Sequence, residues 1–376
     1  MRGALQIAIT LRNLVASVIR LSLGGAGTGL VFKNVMGIVM KKMVLVAAAL
    51  AMSAGAAFAA DMPLKAVKAP PPAAFDPWDI AFGSAVMSDY VFRGITQSNH
   101  NPSVTAYFEP RYNVNKDLQL YIGTSTESIS FANRAAAEVD VYGGIRPTFG
   151  AFAFDFGVWG YLYPGGTCFF GAPVDTAGNA LSAECAANAL TDGNVMKKDV
   201  SFFEGYGKVN YTINDNWQFG LNEYYSPNFL NSGAWGNYSS ITGKYTAPST
   251  AFGTSGVGFY VSGEFGRQWL GTSDSFYGTG FTNPGFAGPF PNGIKYADYD
   301  TWNIGIGFTY KVFTLDLRYS DTDLSKGNCN AFTSAFNSTG TTNITSINPS
   351  GAGSNWCGAA GIAKLSADLT AMTNLK

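Results

Sequence analysis

Val104-Thr105-Ala106-Tyr107-Phe108-Glu109-Pro110-Arg111-Tyr112-Asn113-Val114 decides how this chain folds. Val104, Ala106, Phe108, Tyr112 and Val114 alternate with Thr105, Tyr107, Glu109, Arg111 and Asn113. A period of two sends the two sets to opposite faces of a strand. The rhythm restarts after each short turn. Leu118, Leu120 and Ile122 alternate with Gln119, Tyr121 and Gly123, and Val139, Val141 and Ile145 with Glu138, Asp140, Tyr142 and Arg146. Phe152, Phe154, Phe156 and Val158 extend it. One face is apolar throughout while the other carries charges and tyrosines. Runs of roughly ten such residues fit a transmembrane β-strand, whereas soluble strands cluster at about 5 to 6 residues.

Working outward, the same pattern predicts strands at 78–88, 102–114, 118–127, 136–146, 151–163, 199–213, 217–226, 237–247, 256–269, 299–310, 313–320 and 361–372. Short connections such as Asn115 to Asp117, Pro147 to Gly150, Asn214 to Asn216 and Lys311 to Val312 alternate with long ones. The expectation is an all-β fold over residues 78–376: a transmembrane antiparallel up-and-down β-barrel of about 12 strands, with short periplasmic turns and long extracellular loops. Beyond the start of the chain no apolar run is long enough for a spanning helix. A soluble β-sandwich would need a second sheet over the apolar face, which twelve long strands turning tightly at one end fit poorly. Aromatic residues near strand ends predict two girdles: Trp78, Tyr112, Phe149, Tyr211, Trp217, Tyr245, Tyr310 and Phe313 toward the periplasm, and Tyr90, Tyr163, Tyr224, Tyr225 and Trp269 toward the outside. Pro110, lacking a ladder donor, predicts a bulge.

Residues 1–59 contain six basic residues and no acid. Met40-Lys41-Lys42, the apolar Val44 to Leu50 and the small-x-small Ala57-Phe58-Ala59 read as a signal peptide over 40–59, cleaved after Ala59. Residues 1–39 read as an over-extended N-terminus. The mature stretch opens with Lys65, Lys68 and Pro70-Pro71-Pro72, a Pro-rich periplasmic tail over 60–77. It carries 18 basic against 25 acidic residues, a formal charge of −7, which makes nucleic acid an improbable partner. The destination is the bacterial outer membrane.

Cys168 and Cys185 fall in one long loop, and Cys329 and Cys357 in another. An even count in an exported chain argues for disulfides. Three connectivities are open to sequence, with pairing inside each loop the economical one. No Cys-x-x-Cys accompanies them, so no metal centre and no cofactor are expected. Asp298-x-Asp300 and Asp321-x-Asp323 read as solvated loop acids rather than calcium ligands. His100, the single histidine, sits in the turn-like Gln97-Ser98-Asn99-His100-Asn101-Pro102. A Ser-His-acid hydrolase would have to use it, and nothing nearby marks a nucleophile; no enzyme is expected.

The string Ser88-Asp89-Tyr90-Val91-Phe92-Arg93-Gly94-Ile95-Thr96-Gln97-Ser98 resembles the opening motif of the TorF-like porins, a proteobacterial outer-membrane family. Weaker likeness runs through Glu204-Gly205-Tyr206, Tyr224-Tyr225-Ser226-Pro227 and Asp316-Leu317-Arg318-Tyr319-Ser320-Asp321-Thr322-Asp323, covering about residues 78–325. The resemblance implies an outer-membrane, porin-like barrel. This chain departs from it in its two long cysteine-bearing loops and in ending Asn374-Leu375-Lys376 rather than on an aromatic residue. Arg93, within the shared motif, is expected just beyond the first strand beside Asp89 and Tyr90, either in an ion pair at the rim or approaching a solute.

The inward set predicted by alternation includes Glu109, Arg111, Glu138, Asp140, Arg146, Asp155, Glu204, Lys208, Asp316 and Arg318, with Lys244, Glu264, Lys364 and Asp368. Lysine or arginine facing lipid would cost roughly 2 to 4 kcal/mol at mid-bilayer, so these groups face a lumen. Two outcomes follow from mixed signs: a charged passage for small solutes, or cross-lumen pairing that closes it. A passive channel leads. A sealed barrel displaying its loops to other surfaces is the alternative, and in either case the chain is expected to work as a monomer in lipid.

Overall fold

A computed structural model describes residues 77–169, 195–278, 293–340, 342, 345, 348 and 351–375. The expected signal peptide, the residues before it, the Pro-rich tail up to residue 76, and Cys185 lie outside these residues.

Twelve strands form the wall: β1 (Trp78–Met87), β2 (Ser103–Asn115), β3 (Leu118–Glu127), β4 (Glu138–Phe149), β5 (Phe152–Leu162), β6 (Phe202–Thr212), β7 (Trp217–Ser226), β8 (Gly236–Thr246), β9 (Val257–Leu270), β10 (Tyr299–Tyr310), β11 (Phe313–Thr322) and β12 (Ala360–Thr370). Each pairs antiparallel with its successor, and β12 returns to β1 with Ala81 opposite Thr370 and Met87 opposite Lys364. Closure leaves no unpaired edge, which is what a bilayer demands of a sheet.

Burial is inverted relative to a soluble protein. Ile122 is 67% exposed while its neighbour Tyr121 is 6% exposed, and Leu221, Val158, Ile241 and Ile304 share the outward face with Ile122. The apolar set therefore meets lipid and the polar set meets the lumen, as expected of a membrane-spanning barrel. At the short-turn end the Trp78 and Tyr112 rings pack 4.9 Å apart and those of Phe152 and Tyr211 4.7 Å apart, an aromatic belt where one was expected.

Three expectations need correction. Pro110 makes no bulge. It stays in register opposite Ile80, the β2–β3 ladder lapses over Glu109 and Pro110 without a shift, and the register slip falls between Asn113 and Asn115. The missing donor is absorbed where no ladder bond is made. Pro147 is not in a turn but lies within β4, opposite Leu118, so the turn tightens to Gly150–Ala151. Tyr90, Tyr163 and Tyr224 do not join an outer girdle. Tyr90 and Tyr224 line a lumenal cavity, and Tyr163 is buried among the long loops. Phe203 and Trp235, near the loop ends of β6 and β8, are exposed at that level instead, with Tyr225.

The buried apolar cluster lies mainly in the long connections. Ile95, Phe169, Met196, Phe229, Tyr296 and Trp356 come from five such connections and pack together with Leu270 and Leu324 at strand ends. They build a cap over the loop end of the barrel. Cys329 and Cys357 form a disulfide inside the last loop, with Cα atoms 5.9 Å apart. Cys168 is also disulfide-bonded.

Candidate functional site

The first long connection, 88–102, turns inward rather than out. Val91–Phe92 pairs with Ile95–Thr96 as a miniature hairpin whose two tip residues, Arg93 and Gly94, have φ of 48° and 78°. Two successive left-handed residues define the tight turn that best joins twisted antiparallel strands. At Gly94 a side chain is impossible for a second reason: a Cβ there would stand 2.8 Å from Thr301 Oγ1 and from Thr322 Cβ. The tip thus presses on the ends of β10 and β11, while the Arg93 side chain points elsewhere.

That side chain reaches the opposite wall. Its Nη1 and Nη2 donate to Glu204 Oε1 and Oε2 on β6, at 2.9 and 2.7 Å, and Nη1 donates to Gln268 Oε1 on β9 at 3.0 Å. The rings of Phe92, Tyr224 and Tyr238 lie 4.5, 4.9 and 4.5 Å from the guanidinium carbon. An ion pair so enclosed has little water to lean on, and its bidentate geometry and aromatic faces replace that hydration. Burial works against the Arg93 charge, but the Glu204 carboxylate outweighs it and holds the guanidinium firmly protonated.

The rest of the loop is tied down on both sides. Asp89 accepts from Thr96 Oγ1 and Ser98 Oγ, and contacts His100 Nδ1 at 2.7 Å. His100 Nε2 faces the Asn355 carbonyl at 2.8 Å. The Thr96 N–H donates to Trp356 O, and the Trp356 indole donates to Asn99 Oδ1. The disulfide-stapled last loop therefore clamps the first. Both ring nitrogens of His100 are engaged, and the Ser98 hydroxyl lies 3.0 Å from Asp89 Oδ1 and 2.7 Å from the Asn101 carbonyl. Tyr90 donates to Glu138 Oε1 at 2.7 Å. Burial first, then the Glu138 charge, pushes its phenol well above the ordinary range, so it remains a donor.

Below the hairpin the lumen holds a cavity of about 370 Å³, lined by Tyr90, Glu127, Asp140, Trp159, Lys208 and Lys364 among others. Further toward the short turns, charged side chains of the strands pair along the wall rather than across it. Arg146 on β4 holds Glu109 on β2 by two bonds of 2.8 and 3.2 Å and Asp155 on β5 at 3.3 Å, and Arg111 adds a bond of 2.6 Å to Glu109. A second group, on another arc, joins Arg318 to Asp316, Asn303 and Ser262. Lys208 lies over the Tyr206 and Tyr224 rings. Glu138 and Asp140 belong to neither group; they stand with Glu127 beneath Tyr90. Arg93, by contrast, comes from a loop and not from the wall. Sequence offered a hint of this only in the Arg-Gly turn between Val91-Phe92 and Ile95-Thr96.

The loop acids read as solvated are largely engaged with protein groups. Asp298 accepts from the Leu270 N–H, Asp300 pairs with Arg267, Asp321 accepts from Tyr319 and Asp323 accepts from the Asp300 N–H.

A family described as "Bacterial protein of unknown function (Gcw_chp)" matches residues 72–175, the span from just before β1 to just past β5. No curated protein matches the chain. Solved structures similar to it include the COG4313 outer membrane channel from Pseudomonas putida F1, at 11% identity and a TM-score of 0.38, covering 81% of this chain and 100% of that one. LpxR from Salmonella typhimurium is similar at 8% identity and 0.35, covering 77% and 99%. OmpT, an outer membrane protein of Vibrio cholerae, is similar at 12% and 0.31, covering 79% and 99%. Likeness at this level transfers no activity.

Proposed function

We propose that this chain is a porin-like channel of the outer membrane for small solutes, closed at its outer mouth by the Arg93 hairpin. The single observation that carries the reading is the contrast between the two halves of the lumen. Toward the short turns, Arg111, Arg146, Asp155, Asp316 and Arg318 pair along the wall with side chains 13 to 29% exposed, around a buried Glu109. At the loop end Arg93 and Glu204 meet across the passage with side chains 5% and 0% exposed. A barrel built only to display its loops has no need of a hydrated, charge-lined interior, because apolar filling would stabilise it more simply. Opening would mean withdrawal of the hairpin. Solutes would then pass Lys208, Glu138 and Asp140 before the wall clusters, and rings of charge would set their selectivity.

The test is swelling of proteoliposomes in small sugars, comparing the mature chain with a variant in which Val91–Thr96 is replaced by two glycines. The shortened variant is expected to admit sugars that the parent excludes. Exclusion by both, with heat-modifiable migration showing both barrels intact, would favour the sealed, surface-interacting alternative.

A further inference from the structure

We propose that the cavity beneath the first-loop hairpin is a binding site for a neutral mono- or disaccharide. Its walls differ in kind. Register lines up Ser366, Ala85 and Thr105 in one row across β12, β1 and β2. These small side chains leave the room for a cavity of about 370 Å³, at the lower end of the roughly 300 to 1,000 Å³ usual for ligand sites. The other side is aromatic. Tyr142 and Trp159 stand opposite each other on β4 and β5 with nearly parallel rings 4.0 Å apart, and Tyr161 and Tyr224 carry the rings on to β7. Tyr90 and Phe92 of the first loop line it on the hairpin side.

The polar groups are set between these walls. Lys208 on β6 and Lys364 on β12 belong to strands six places apart in the ring of twelve, so they reach the cavity from opposite sides. Each stands opposite an aspartate in register, Asp155 and Asp316 respectively. Those aspartates are taken by other groups: Asp155 accepts from Arg146 and Tyr121, and Asp316 from Arg318 and Tyr260. Both ammonium groups are thereby left to the cavity, Lys208 over the rings of Tyr206 and Tyr224. Three carboxylates join them. Glu127, Asp140 and Asp368 accept from the hydroxyls of Thr105, Ser125 and Ser366, and a carboxylate has lone pairs for further donors. Two cations and three anions come near to balance, so a solute of either sign meets groups that repel it as well as groups that attract it. A neutral solute rich in hydroxyls meets donors and acceptors alike. A sugar ring has that chemistry and adds an apolar C–H face suited to aromatic rings. A wholly apolar solute would displace water from the lysines and carboxylates and replace none of its hydrogen bonds. The inference rests on the channel reading for the solute's route of entry, but it is tested by binding rather than by passage.

Saturation-transfer NMR on the mature chain, refolded in a detergent without a sugar headgroup, tests it with glucose, galactose, mannose and maltose against glucuronate, glucosamine and glycine. At least one neutral sugar is expected to saturate with a Kd below about 10 mM, more tightly than any charged or zwitterionic probe, and to bind about tenfold more weakly in Lys364→Met and in Trp159→Leu. Absence of neutral-sugar binding, tighter binding of a charged or zwitterionic probe, or unchanged affinity in both variants would overturn the proposal. Should either variant lose heat-modifiable migration, Ser366→Phe, which fills the cavity from the small-residue row, takes its place with the same expected loss. Saturable binding without sugar-driven swelling of proteoliposomes supports the site and counts against the channel; swelling without saturable binding overturns the site and leaves the channel standing.

Discussion

The Arg93 guanidinium grips the Glu204 carboxylate with two parallel hydrogen bonds, 2.9 and 2.7 Å long, across the mouth of the barrel. Removing one partner of such a pair strands a buried charge, which costs about 3 to 5 kcal/mol, whereas replacing both with apolar groups is near neutral. Arg93→Met and Glu204→Leu are each expected to destabilise the first loop, seen as faster proteolysis within 88–102, and the double variant to restore much of the protection. Additive effects of the two substitutions would mean that the pair does not hold the loop.

The strands could be read from sequence and the plug could not, for physical reasons. β3, β7 and β10 occupy Leu118–Glu127, Trp217–Ser226 and Tyr299–Tyr310, as alternation alone predicts, because lipid outside and water inside impose a strict period of two on every residue between them. The inward expectation for Glu109, Arg146, Asp316 and Arg318 rests on the same rule. Arg93 obeys no such rule. Its partners Glu204 and Gln268 lie 111 and 175 residues away, and only the packing of the cap brings them together. Tyr163 was misplaced for the same reason, since a loop aromatic can serve a buried cap as readily as a girdle. The Glu127–Glu138–Asp140 group needed strand register, which fixes who stands opposite whom.

His100 links the first loop to the last. Its Nδ1 meets the Asp89 carboxylate and its Nε2 the Asn355 carbonyl, both acceptors. The ring thereby ties two chain segments together. Hydrogen exchange at the Thr96 amide, bonded to Trp356 O, reads the clamp out. His100→Ala, which removes both contacts, is expected to exchange faster at that amide. Unchanged exchange in the variant would remove histidine from the clamp.

Ile122 stands in the middle of β3 and is 67% exposed on the outward face. Ile122→Arg is expected to cost roughly 2 to 4 kcal/mol in urea unfolding from lipid vesicles, since a mid-bilayer charge loses its hydration. Gln119→Arg, at an inward position beside Asn113 and Arg146, is expected to cost much less. Equal costs at the two positions would contradict the assignment of faces.

Single-channel conductance in a planar bilayer tests the closed mouth most directly, comparing the refolded mature chain with Arg93→Ala. The parent is expected to be silent or to open rarely, and the variant to show frequent discrete steps with a reversal potential under a salt gradient. Steady open conductance in the parent, unchanged by the substitution, would contradict closure by Arg93.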